Sequence, residues 1–201
     1  MALCPAWHSC TVSGNDFGFF DFQQICRLKP TETVQEVSAV NGTGIVLPSH
    51  FTERKITDPS TARDAINDVA DTLGIVSVED ELGTADCSTV LGDTYYSFPQ
   101  VYRGIPVYGR KVTVSADADS EAALLTSGFY PIENLSVEAK ITQNDAEKIV
   151  AGLYPGEADI YVNNLVIFSL DKTNPELAWK ISVHQNNSWE SVFLSAVDGR
   201  L

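Results

Sequence analysis

The sequence repeats one order of elements twice: an amphipathic helix followed by short strands with tight connections. In the first stretch, Asp58-Pro59 predicts the start of a helix over 59–73, because Asp caps a helix and Pro suits its first turn. Gly74 follows where a left-handed cap is common. Apolar residues at helical spacing predict one buried stripe, formed by Ala62, Ala65, Ile66, Val69 and Leu73.

Strand chemistry follows this first helix. Residues 95–102, 105–116 and 122–130 are rich in β-branched and aromatic side chains, with turn signals between them. Pro99 indicates an edge position or a bulge in the first of these strands. Alternation along the second strand predicts a buried face of Val112, Val114 and Ala116. Short connections predict an antiparallel meander, which needs a helix on one face.

The second stretch repeats this plan. Thr142 and Asp145 have capping-box spacing, and Pro155-Gly156 ends the helix. Its predicted buried stripe consists of Ala146, Ile149, Val150 and Leu153. Strands are predicted at residues 160–170, 177–184 and 189–196. The sequence therefore predicts an α+β fold of two tandem units, each an antiparallel β-sheet packed against a helix.

The net charge of the chain limits the classes of partner that we expect. Thirteen Lys and Arg residues stand against 27 Asp and Glu residues, which gives a net charge of -14. A polyanion is repelled by such a chain, so nucleic acid and anionic membrane surfaces are not expected as partners. No apolar run approaches the roughly 18 residues of a membrane helix, so membrane insertion is not expected. The charge fits a solvated acidic surface, or one that attracts a basic partner.

The four cysteines are compatible with an oxidising compartment, either as structural disulfides or as idle thiols. Cys4, Cys10, Cys26 and Cys87 are compatible with two disulfides, whose pairing the sequence leaves open. His8 lies between the first two, but the paired C-x-x-C spacing of a strong zinc site is missing. Residues 1–31 have no sustained periodicity and stay unassigned. Residues 1–10 lack the basic start and apolar run of an export signal, so we expect no such signal within this chain.

The catalytic motifs that we tested are absent from the sequence. None of His8, His50 and His184 begins an H-E-x-x-H motif, and neither a G-x-S-x-G elbow nor a phosphate-binding glycine loop occurs. A pair of carboxylates for glycosidase chemistry cannot be singled out among 27 acids. The sequence therefore predicts a non-catalytic protein without a cofactor.

The run LGDTYYSFPQVYRGIPVYG at residues 91–109 resembles the signature of the fungalysin/thermolysin propeptide domain. Eight positions carry this resemblance, as structural or partner-contact residues: Phe98, Gln100, Tyr102, Gly104, Ile105, Pro106, Val107 and Gly109. The run departs from the family at Tyr95-Tyr96, where a His and a hydrophobic residue are common, and at Pro99, where Gln is commoner. Independently of the family, Gly104-Ile105-Pro106 favours a turn between two strands over direct contact with a protease.

The resemblance continues beyond this run. It covers roughly residues 44–201 and implies a propeptide-like domain at residues 32–136, followed by a domain at residues 137–201 that resembles the PepSY domain of the family. The resemblance implies a propeptide of a secreted, thermolysin-like (M4 family) zinc metalloprotease whose catalytic domain lies outside this chain. It also implies an intramolecular chaperone and inhibitor that binds this catalytic domain in cis or in trans, outside the cell.

Two other classes of function stay open. A free-standing secreted binding module of the same domain type inhibits proteases in trans or acts at the cell envelope. An unrecognised enzyme is the third class.

Overall fold

A computed structural model describes residues 35–39, 42–154, 156–169 and 174–201. The predictions for residues 1–31, including those for Cys4, Cys10 and Cys26, lie outside the described residues. The helices are α1 (Pro59–Asn67), α2 (Ala70–Leu73), α3 (Val78–Glu81) and α4 (Gln143–Ala151). The strands are β1 (Gln35–Ala39), β2 (Gly42–Pro48), β3 (Asp86–Val90), β4 (Asp93–Tyr102), β5 (Ile105–Ala116), β6 (Ala122–Ser127), β7 (Asp159–Phe168), β8 (Glu176–Gln185) and β9 (Ser188–Ser195).

The described strands form one mixed sheet, in the order β1-β2-β6-β5-β7-β8-β9. β4 also pairs with β5, and β3 pairs with β4. Neighbouring strands are antiparallel except β5 and β7, which are parallel and meet at the single pair Val107 and Ile167. Where the sequence predicts an α+β fold of two tandem units, the described residues show a mostly β architecture with few helices, and the strands of both predicted units belong to one hydrogen-bonded sheet.

The first helix begins as predicted but ends early. The Asp58 carboxylate accepts the amide hydrogens of Ser60 and Thr61, and Pro59 occupies the first turn. The helix breaks after Asn67, so the predicted span 59–73 is two helices. The second ends at Gly74, a left-handed cap with φ of 72°.

A large hydrophobic core lies between these helices and the sheet. Its centre includes Phe98, Val112, Val114 and Leu125 from the strands and the predicted helical stripe, in which Val69 is partly buried. Arg63 supports this core from the helix side. Its guanidinium donates to the carbonyl oxygens of Val78, Leu82 and Gly83, at 2.9, 3.2 and 2.7 Å, and therefore holds α3 in place.

A smaller core forms between α4 and strands β7 to β9. Its fully buried members are Ala146, Val150, Ile181, Val183 and Leu194. Thr142 caps α4 as predicted, since its hydroxyl accepts the Asp145 amide hydrogen at 3.2 Å. Two predicted stripe residues differ: Ile149 is 37% exposed and Leu153 is 50% exposed. Only one side of α4 meets the sheet, so its buried stripe is narrower than the periodicity predicts.

Candidate partner-binding surface

The β4–β5 hairpin carries the motif of residues 91–109. Arg103 and Gly104 connect its strands with φ values of 49° and 80°. Two successive left-handed residues match the twist of the flanking strands, and glycine adopts this conformation at little cost. The predicted turn is therefore present, although Ile105 and Pro106 already belong to β5.

Two motif side chains lie inside the molecule. Phe98 is 1% exposed, and the Arg63 guanidinium stacks 5.0 Å from its ring centroid. Gln100 is 2% exposed; its Nε2 donates to the Tyr130 carbonyl at 2.6 Å, and its Oε1 accepts the Tyr130 amide hydrogen at 3.0 Å. Both contacts tie β4 to the chain after β6, so these residues hold the fold together.

The second half of the motif forms a bulge in β5. Pro99 pairs with Lys111 and Val101 pairs with Pro106, so four residues of β5 oppose one residue of β4. Within the bulge, Gly109 has a φ of 71°, with open space around its α-carbon. Backbone conformation, not crowding, explains glycine at this position. A register shift therefore follows Pro99, as predicted, but its extra residues belong to β5 and not to the strand that contains Pro99.

The bulge lies where strands of the two predicted units meet, at the pair Val107 and Ile167. Val107 is buried in a third hydrophobic cluster with Ile132 and Ile167, against which Tyr102 and Ile105 pack. Pro106, Gly104 and Gly109 are exposed. The motif residues therefore surround one hairpin but do not converge on a common site.

The remaining predicted site residues are scattered. Cys87 is an exposed free thiol on β3, and the other cysteines of the predicted disulfides lie outside the described residues. His50 follows β2 and His184 lies on β8. In the described part of the chain, no three His, Cys, Asp or Glu side chains form a group that could hold a metal.

A cluster of aromatic side chains lies on the sheet face opposite α4. The Phe168 and Phe193 rings stack with centroids 4.0 Å apart. Tyr108, from the β5 bulge, meets Phe193 edge-on at 4.7 Å, and the Lys180 ammonium lies 4.9 Å from the Tyr108 centroid. Because Tyr108 is 37% exposed, part of this cluster is available to a partner.

A second aromatic group continues the same face toward the β8–β9 turn. Trp189 is 62% exposed and Tyr161 is 51% exposed, with ring centroids 5.7 Å apart. The His184 ring stacks on Trp189 at 4.7 Å, and its Nδ1 lies 3.4 Å from an Asp159 carboxylate oxygen. We call these residues and the preceding cluster the aromatic face: Tyr108, Tyr161, Phe168, Lys180, His184, Trp189 and Phe193. Sequence reasoning missed this face, because its members are far apart in the chain.

One further contact connects α4 to β9. The Tyr154 hydroxyl donates to a Glu190 carboxylate oxygen at 2.7 Å. This hydrogen bond, together with burial, raises the pKa of Tyr154. The bond therefore fixes the segment that follows α4 beside β9.

Residues 87–129 match the family model of the Fungalysin/Thermolysin Propeptide Motif. The match covers β3 to β6, so the predicted resemblance is confirmed over this stretch. No curated protein matches the sequence. Among solved structures, the chain is similar to the Bacillus megaterium YpeB C-terminal domain at 15% identity and a TM-score of 0.39, over 89% of this chain and 92% of that chain. No helix in the described ranges is long and apolar enough to cross a membrane.

Proposed function

We propose that this chain is the pro-region of a secreted, thermolysin-like zinc metalloprotease of the M4 family, acting as its folding chaperone and inhibitor. The observation that carries the proposal is the match of residues 87–129 to the propeptide motif. In this role the chain performs no bond chemistry and requires no cofactor. It presents a shaped surface to the catalytic domain.

The proposal assigns two units to the chain: residues 32–136 as the propeptide-motif domain and residues 137–201 as a PepSY-like domain. The separation of the large core around Phe98 from the smaller core around Ile181 supports this division. The third cluster, around Val107, then forms the junction between the units.

The aromatic face is the proposed contact with the catalytic domain. Trp and Tyr side chains dominate binding energy at many interfaces, because they bury large areas with little loss of conformational entropy. Trp189 and Tyr161 are the most exposed aromatic residues of this face. While both domains belong to one polypeptide, an effective concentration of about 1 mM makes even modest affinity sufficient for inhibition.

Refolding a thermolysin-like catalytic domain with and without this chain tests the proposal. We expect a higher yield of folded enzyme in its presence, followed by inhibition until the chain is degraded. Unchanged yield and unchanged activity would contradict both roles. Inhibition of the mature enzyme without any gain in yield would instead indicate a binding module that acts in trans.

A further inference from the structure

Strand β9 leaves one edge of the sheet open. It pairs with β8 on one side, and no described strand pairs with its other side. The backbone amide and carbonyl groups along an open edge form a template for another extended segment.

The hydrogen bonds at the end of β9 show which of its groups point outward. The Ala196 amide donates to the Leu177 carbonyl of β8 at 2.8 Å, whereas the Ser195 amide donates to the Arg200 carbonyl at 2.7 Å. Successive residues of an antiparallel strand direct their backbone groups to opposite sides. The backbone groups of Phe193 and Ser191 therefore also point to the open edge.

The chain itself turns back toward this edge. After Ser195 it reverses through Asp198-Gly199, where Gly199 has a φ of 74° and donates to the Ser195 carbonyl at 3.0 Å. Arg200 then lies opposite Ser195. Continued in this register, the chain would run antiparallel to β9, with Leu201 opposite Leu194.

An open groove of about 590 Å³ follows the same edge. Most of its lining residues are apolar, and three belong to β9: Leu153, Tyr154, Phe168, Ser191, Val192, Phe193 and Leu201. Leu201 is 68% exposed within it. The groove therefore begins where the reversed chain arrives and offers apolar walls to alternate side chains of an extended segment.

We propose that the polypeptide joined to Leu201 binds in this groove as an added strand, antiparallel to β9, with its first residue opposite Phe193. This inference rests on the proposed function, since in a precursor that segment leads from the pro-region to the catalytic domain. Main-chain hydrogen bonds supply the binding, as in other cases of strand addition. The added strand determines the direction in which the polypeptide continues from the sheet to the catalytic domain.

Two extended forms of the full chain test the proposal. One carries about six alternating valine and threonine residues after Leu201, a typical strand length and composition. The other carries the same segment with prolines at the residues that face the Ser191 and Phe193 backbone, since proline cannot donate to a strand ladder. Amide hydrogen exchange at Ser191 and Phe193 is the readout, and Leu194, which faces β8, is the internal control.

We expect exchange at Ser191 and Phe193 to be about tenfold slower or more in the first form than in the second, with no change at Leu194. Ser191→Pro in the first form removes one outward donor and should restore fast exchange at Phe193, whereas Ser191→Ala should not. Equal exchange in both extended forms would overturn the proposal. The catalytic domain is absent from this experiment, so failure of the proposed chaperone function leaves its outcome unaffected.

Discussion

The β4–β5 hairpin and strands β7 to β9 differ in how they use their large side chains. In the hairpin of β4 and β5, Phe98 and Gln100 are buried and hold secondary structure elements together. On β7 to β9, Trp189 and Tyr161 are exposed on a face without a helix. In the region that matches a family model, these side chains therefore stabilise the fold. The region outside the match offers the larger exposed aromatic surface.

This difference separates two roles of sequence: some residues specify the fold, and others form the surface that contacts a partner. In this chain the motif of residues 91–109 forms a turn, a bulge and a pair of buried side chains, Phe98 and Gln100, which stabilise the fold. Contact with one particular partner requires a surface suited to that partner. We therefore expect stability to depend on the first region and affinity on the second.

Replacing Phe98 with alanine should have the largest effect on stability. Loss of a fully buried aromatic side chain costs about 3–5 kcal/mol of unfolding free energy, and here the Arg63 guanidinium also loses its ring contact. Denaturant unfolding measures the change. Tyr161→Ala on the aromatic face serves as the control and should change stability by less than about 0.5 kcal/mol. Similar losses of unfolding free energy in both variants would contradict the difference between the buried hairpin residues and the exposed aromatic face.

Gln100→Leu tests the two buried hydrogen bonds between the Gln100 side chain and the Tyr130 backbone. The leucine leaves the Tyr130 amide and carbonyl without their partner, which costs about 1–3 kcal/mol for a buried group. Gln143→Leu is the matched control, because Gln143 also donates to a backbone carbonyl but at an exposed position. A stability loss at Gln143 as large as that at Gln100 would show that burial is not the cause.

Trp189→Ala tests whether the aromatic face contributes to affinity and not to stability. We expect unfolding free energy to change by less than about 0.5 kcal/mol, while affinity for the catalytic domain falls about tenfold or more. Titration of inhibition measures the affinity. Val76→Ala, at a residue that is 93% exposed and outside the aromatic face, should leave affinity unchanged. Undiminished inhibition by the Trp189 variant would remove the aromatic face from the proposal.

Gly109→Ala tests the bulge in β5. A left-handed conformation costs a residue with a β-carbon about 1–2 kcal/mol, although space is open around this position. Gly128→Ala is the control, because a β-carbon there makes only an ordinary contact, 3.6 Å from the Lys111 carbonyl oxygen. Thermal unfolding of both variants should show a clear loss for Gly109 alone.

Asp198→Asn tests the C-terminal reversal and should have the smallest effect. Hydrogen bonds from the Arg200 and Ser195 side chains lower the pKa of Asp198 from its ordinary value of 3.8 to about 2. A lowered pKa stabilises the folded state above about pH 4, and this contribution disappears as the pH falls from 4 to 2. The melting temperatures of wild type and variant should therefore differ slightly at pH 7 and converge near pH 2.

Local signals predicted much of the fold. Asp58-Pro59, Gly74 and Thr142 are caps that act within a few residues of themselves, and the structure places helix ends at or next to each. The bounds predicted for β5, from 105 to 116, agree with those observed. Alternation of Val112, Val114 and Ala116 predicted the buried face of this strand, since all three are at most 1% exposed.

Features that depend on distant contacts were not predicted. The break after Asn67 interrupts a stripe that continues at helical spacing, and next to it the Asp68 carboxylate accepts hydrogen bonds from Thr52 and Arg54. The parallel pair of Val107 and Ile167 joins strands from the two predicted units. The aromatic face depends on that pairing too, because it brings Tyr108 beside Phe193.

The meeting of β5 and β7 at one residue pair has a mechanical consequence. Rotation about Val107 and Ile167 would break a single rung of the ladder, while the other strand pairs of both halves stay intact. The cluster around Ile132 and the contacts of Tyr108 with Phe168 and Phe193 then resist such a pivot together. We expect the angle between the propeptide-motif hairpin and the aromatic face to adjust to the shape of whatever body lies against them.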